Sequence, residues 1–129
     1  MQDKNRDLSI YRLQNATETL EVANDCLKNG HYRDAINRSY YAAFYAAKAV
    51  LAIEEVDFKR HKDVVAYFNK EYIATEKLSK DTGRKLARLQ QKREKSDYDD
   101  FFIASREEAE SQVAAATDIL EDVNRFLNK

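Results

Sequence analysis

The 129-residue chain contains no proline and only two glycines, so it has few ways to turn sharply. Sandwiches and barrels reverse direction every ten residues or so and draw on Gly, Pro, Asn and Asp to do it. Dinucleotide-binding and P-loop folds need glycine where backbone meets phosphate, and neither motif can be written from Gly30 and Gly83. The scarcity of turn residues therefore predicts an all-α protein before any periodicity is read. At 15.0 kDa there is enough chain for one hydrophobic core and not two, so residues 1–129 read as a single domain. Apolar residues at 43% against 35% charged ones place it among globular rather than disordered chains.

No run of about 18 apolar residues exists to cross a membrane. The polar start Met1-Gln-Asp-Lys-Asn-Arg-Asp7 lacks the apolar stretch of a signal peptide. The single cysteine, Cys26, has no internal partner for a disulfide. Together these features predict a cytoplasmic protein. The net charge of −1 excludes a globally basic nucleic-acid binder. The charge is unevenly spread, however. Lys80–Lys95 carries seven Lys/Arg against two acids, and Asp97–Asp122 carries nine Asp/Glu against one arginine. Two antiparallel helices with complementary faces would explain this, and so would a local anion-binding patch.

Helical periodicity supplies the elements. Leu13, Ala16, Leu20, Ala23 and Leu27 step by three and four, predicting a first helix from about Leu8 to Lys28, ended by Asn29-Gly30. A second, from about Tyr32 to Glu54, is apolar around most of its circumference. Such a helix belongs at the centre, and its face of Ser39, Ala42, Ala46 and Ala49 admits a close neighbour. A short third helix is expected from about His61 to Tyr72, and a fourth from about Glu76 to Lys95, where Gly83 could bend or break it. Ser96–Ile103 reads as a connection. Ser105-Arg-Glu-Glu108 is a capping box opening the last helix. The sum is an antiparallel, up-and-down bundle of four or five helices.

Little conventional chemistry fits. A di-iron bundle needs Glu-x-x-His pairs, and neither His31 nor His61 completes one. No zinc-type Cys/His spacing and no nucleophile–base pair can be written, so neither metal nor cofactor is expected. Cys26 reads as a small thiol at the core's edge. Three features remain. Arg38 enters the central helix one turn from its start, in register with Tyr41, Ala42 and Tyr45. It is suited to a carboxylate at the bundle end or to a bound phosphate. Arg93 continues the inward stripe Leu86, Leu89, Arg93 and is followed by Asp97 and Tyr98, which would fold back beside it. The trio could orient a phosphodiester or lock a helix end. His61 opens the third helix beside Lys59, Arg60 and Lys62. A positive helix terminus disfavours its protonation, which suits a base, although a surface or capping role serves equally as an explanation.

Three blocks in this order, Arg38-Ser-Tyr-Tyr-Ala-Ala-Phe-Tyr-Ala-Ala-Lys-Ala-Val-Leu51, Lys59-Arg-His61 and Arg93-Glu-Lys-Ser-Asp-Tyr98, resemble the HEPN family over about Leu8 to Leu127. The resemblance implies a helical bundle that is usually a homodimer. It also implies a partner, a minimal nucleotidyltransferase of the MNT type, and a toxin–antitoxin or defence-like pairing. A subset of the family are metal-independent endoribonucleases with a histidine four to six residues after the arginine. Here that place is held by Tyr98, and no histidine follows Arg93. A phenol that titrates near 10 is a poor base at neutral pH.

The sequence thus resembles the Arg…Asp-Tyr branch, and the expectation is a binding module, not an enzyme. Nucleotide or RNA would sit at Arg93, with Arg38, His61, Asp97 and Tyr98 nearby. The alternative is an endoribonuclease toxin using Arg93 with Tyr98, Asp97 or His61. A third reading, a purely structural helical adaptor, is disfavoured by the local concentration of basic residues.

Overall fold

The computed structural model describes residues 3–129, so Met1 and Gln2 of the polar start lie outside it. Its α-helices are α1 (Asp3–Lys28), α2 (Tyr32–Ala52), α3 (His61–Phe68), α4 (Lys80–Tyr98) and α5 (Arg106–Leu127). A π-helical turn, Asn69–Ile73, extends α3. Helix makes up 79% of the protein, and there is no strand among the described residues. The all-α bundle expected from the missing turn residues is the fold observed.

The central helix is α2. Tyr40, Phe44 and Leu51 are each at most 3% exposed, and α2 packs against α1, α3, α4 and α5. Each such large apolar side chain contributes about 1.5–3 kcal/mol on burial. Its small residues Ser39, Ala42, Ala46 and Ala49 are fully buried. Ser9 Oγ on α1 reaches the Ala49 carbonyl at 2.7 Å, an approach that bulky side chains would block.

Element ends differ from the periodicity in instructive ways. α1 begins at Asp3, not Leu8, because polar Asn5 and Ser9 are buried and bonded to the Ile53 and Ala49 carbonyls. These are core positions that carry no hydrophobic signal. α2 stops at Ala52, short of Glu54, as Glu55 turns into the left-handed region with φ 58°. The regular α-helix of α3 stops at Phe68, and Tyr72 belongs to the π turn. α4 starts at Lys80, not Glu76. Glu76 adopts φ 61°, and Ser79 caps the helix by accepting from the Thr82 N–H. α4 then runs unbroken through Gly83 and past Lys95 to Tyr98, so Ser96 is helical rather than part of a connection. Ser105 and Glu108 form the capping box at α5.

The opposite charges of α4 and α5 meet. Lys85 Nζ lies 2.9 Å from Asp118, Lys92 Nζ 2.7 Å from Glu108, and Thr82 Oγ1 donates to Asp122 at 2.9 Å. Two of the seven cations of the basic strip, Lys85 and Lys92, therefore clamp α4 to α5. Lys85 is not the free surface lysine its position suggests, since it also pairs with Asp81 at 2.9 Å.

Candidate functional site

The seam between α2 and α4, closed at one end by the start of α3, brings Arg93 and Asp97 into contact and sets Arg93, Arg38 and His61 against the Tyr41 ring. Arg93 points inward from α4 because it continues the stripe of Leu86 and Leu89. Its Nη2 donates to the Tyr41 hydroxyl at 2.9 Å. Its guanidinium carbon sits 5.3 Å from the Tyr40 ring centroid and 5.2 Å from that of Tyr41, within cation–π range. Asp97, one turn on, brings Oδ2 to 2.9 Å from Nε. The Nε–H is not directed at that oxygen and, though buried, has no acceptor among the described residues. The pair is thus a charge contact rather than a directed hydrogen bond. Nη1 makes no hydrogen bond to any described residue.

Arg38 finds no carboxylate among the described residues. It binds the Asn37 amide oxygen at 2.7 and 3.1 Å and lies 5.2 Å from the Tyr41 centroid. One tyrosine ring therefore carries two guanidiniums. Tyr45 is half-buried 6.1 Å from Tyr41.

His61 is neither a surface residue nor a side-chain cap. Its ring stacks on Phe44 at 4.0 Å between centroids and lies edge-on to Tyr41 at 5.7 Å. Nδ1 is 3.4 Å from the Tyr40 hydroxyl. The Tyr40 phenol is pushed up to about 12, chiefly by burial, so it keeps its proton and can donate it to Nδ1. In the neutral imidazole that leaves the ring proton on Nε2, which has no partner among the described residues. Burial, then Arg93 and Lys48, hold the His61 pKa below its ordinary value.

Tyr98 stands apart. It is 78% exposed and makes no contact with Arg93, so the expectation that it folds back fails. The reason is helix geometry: α4 continues to Tyr98, and five residues separate it from Arg93, which places it on a different face.

Two positioning elements gave no periodic signal. Arg33, in the first turn of α2, donates from Nε to the Ser96 carbonyl at 2.8 Å and from Nη2 to the Asp99 carbonyl at 3.3 Å. A cation on the orphan Ser96 carbonyl, and on the Asp99 carbonyl that also accepts from the Phe102 N–H, fixes where α4 ends. Arg12 on α1 holds Asp57 at 3.0 Å and the Lys48 carbonyl at 3.2 Å. Asp57 also accepts from the Phe58 N–H at 2.9 Å and lies 3.7 Å from Lys48. This knot pins the connection that delivers His61. A charged residue in a connection could have been flagged in the sequence, but its partner 45 positions away could not.

The arrangement can hold an anion. Two guanidiniums and an imidazole converge on paired tyrosines, opposed by the one carboxylate in contact, Asp97. Unclaimed donors remain on Arg93 and His61. Cys26 lies elsewhere, half-buried beside the second, smaller core cluster, with its thiol pKa raised by that burial.

A "UPF0332 protein" of Thermotoga maritima is 30% identical over 127 residues, covering 98% of this chain and 96% of the relative. Two proteins of Methanocaldococcus jannaschii, "Putative toxin MJ0142" and "Putative toxin MJ0605", are each 31% identical. They cover 91% and 88% of this chain, and 75% and 84% of their own lengths. The model of the HEPN domain matches residues 10–126, which contain every residue of the site. The chain belongs to the HEPN domain family.

Proposed function

We propose that this protein is a toxin-type HEPN binding module whose α2–α4 seam grips a phosphate of RNA or of a nucleotide. The observation that carries this reading is the Tyr41 ring held between Arg38 and Arg93, each 5.2 Å from its centroid, with no carboxylate on Arg38. Asp97 offsets only one of the two cations, and the remaining positive charge favours a negative ligand. Arginine holds phosphate bidentately, and the free Nη1 of Arg93 is available for it. The toxin names of two relatives support a role within a toxin–antitoxin pair. The family resemblance supports an MNT-type nucleotidyltransferase as the other half. The molecule acts as a homodimer, and the side chains Tyr98, Phe101 and Ile103, exposed by 78%, 91% and 86% at and just after the end of α4, offer the surface for it.

The test is equilibrium binding of a short single-stranded RNA at several salt concentrations. Arg93→Ala should weaken binding at least tenfold. Arg88→Ala, an exposed cation on the same helix, should change it by less than twofold. Equal effects of the two substitutions would sink the site. Pull-down from the native host, followed by mass spectrometry, identifies the partner.

One observation favours a second reading, the endoribonuclease. His61 supplies, from the start of α3, the imidazole absent after Arg93. In the other neutral tautomer, with Nδ1–H donating to the Tyr40 hydroxyl and Nε2 unprotonated, it could take the proton of a ribose hydroxyl at Nε2 while Arg93 stabilises charge growing on the phosphate. EDTA-resistant cleavage lost in His61→Gln and kept in Tyr98→Phe would establish this reading. Cleavage lost in Tyr98→Phe instead would exclude this role for His61.

A further inference from the structure

The seam between α1 and α5 lies on the other side of the bundle from Arg93, since α1 packs on α2 and α5 and does not touch α4. It is loosely closed. Two adjoining cavities of about 350 and 570 Å³ open along it, sharing Leu13 and Thr17. Their apolar wall is made by Ile10, Leu13, Leu20 and Leu120, and Ile10 is 46% exposed. From Ile10 to Leu20 the groove follows α1 for about 15 Å, three turns of helix. The lining holds two charges, Glu18 and Glu121, and no cation. Neither carboxylate is ion-paired with a described residue, although most carboxylates of α5 are.

We propose that the α1–α5 groove is a docking site for an amphipathic helix of a different protein, one that carries leucine-like residues on one face and lysine or arginine along its edges. Length and apolar wall suit a helix laid in a groove, read by anchors at three- and four-residue spacing. The two free carboxylates set the sign of the partner's flanks and exclude nucleic acid. They also argue against a second copy of this chain. The basic helix here is α4, and its apolar stripe is buried against α2 while Lys85 and Lys92 are engaged by α5. This surface is separate from the Arg93 site, so the inference does not depend on what that site binds.

The experiment uses isotope-labelled full-length protein and two synthetic probes. One is a 14-residue helical peptide with leucine on one face and lysine on the other, and its twin has glutamate for lysine. The lysine peptide should shift backbone amide signals around Leu13, Leu20 and Leu120 and bind at least tenfold more tightly than its twin. Thr17→Arg, which fills the groove from an exposed position, should weaken that binding at least tenfold and leave RNA binding unchanged. Glu18→Lys combined with Glu121→Lys should reverse the preference between the peptides while the helical signal and melting temperature hold. A footprint around Asp99 and Asp100, equal affinity for both peptides, or no saturable binding would each overturn the proposal. So would conversion of a dimer to a monomer by Thr17→Arg, which would give the groove to a second copy.

Discussion

At the scale of single residues, His61 reports on the whole site. Its ring is stacked on Phe44 and faces Tyr40, Tyr41, Arg93 and Lys48. Desolvation is the largest force lowering its pKa, and the nearby cations add to it. An NMR titration should therefore find His61 below the usual value near 6.5. Arg93→Gln should move it upward, as should a bound phosphodiester. No movement in either case would separate His61 from Arg93 electrically. The effect on stability follows from linkage. In the window between the folded value and about 6.5 the unfolded chain binds the proton and the folded one does not, so stability falls as pH drops through it. His61→Gln should flatten that slope in denaturant melts between roughly pH 5 and 7.

At the scale of elements, Gly83 is a contact residue. α4 passes through it without a bend, and a Cβ built there would meet Ile73 Cγ2 at 2.8 Å. Helix propensity alone would reward Gly83→Ala by about 1 kcal/mol. Overpacking against a β-branched neighbour costs about 1–3 kcal/mol and decides the sign. Gly83→Ala should therefore destabilise by about 1 kcal/mol, and much less in an Ile73→Ala background. An additive double-mutant cycle would refute the contact. Ser105 is the simpler case. It closes a complete capping box with Glu108, and Ser105→Ala should cost about 1 kcal/mol, measured as a shift of the urea midpoint.

For the whole molecule, the surface decides assembly. Phe102 and Ala104 turn inward onto the smaller core cluster while Phe101 and Ile103 point outward, so this segment is apolar on both sides. A segment facing water on one side alternates apolar with polar residues, and this one does not. Arg33 fixes the turn that presents it. Sedimentation should give about twice 15.0 kDa for the wild type and one chain for Phe101→Asp combined with Ile103→Asp. A monomeric wild type at tens of micromolar would refute the dimer. RNA binding should weaken steeply with salt, because each phosphate contact releases counterions. A flat salt response would argue against phosphate at the seam.

Several properties were already fixed along the chain. The absence of proline, the periodicity of Leu13 to Leu27 and of α2, and the capping box at Ser105 depend on neighbours within about four residues, the range over which a helix interacts with itself. The inward register of Arg93 belongs here too, as does the family resemblance that its block carries. Everything that required a distant partner was left to packing. Asn5 and Ser9 could extend α1 because α2 and its C-cap Ile53 offer them carbonyls. Arg33 ends α4 across 63 positions of sequence, and the Arg12–Asp57 pair seats α3. The site itself is of this second kind. His61 and Tyr40 stand 21 residues apart, and Arg93 and Tyr41 stand 52 apart. No local pattern encodes their meeting, because side-chain chemistry names the groups while the crossing of α2, α3 and α4 brings them together.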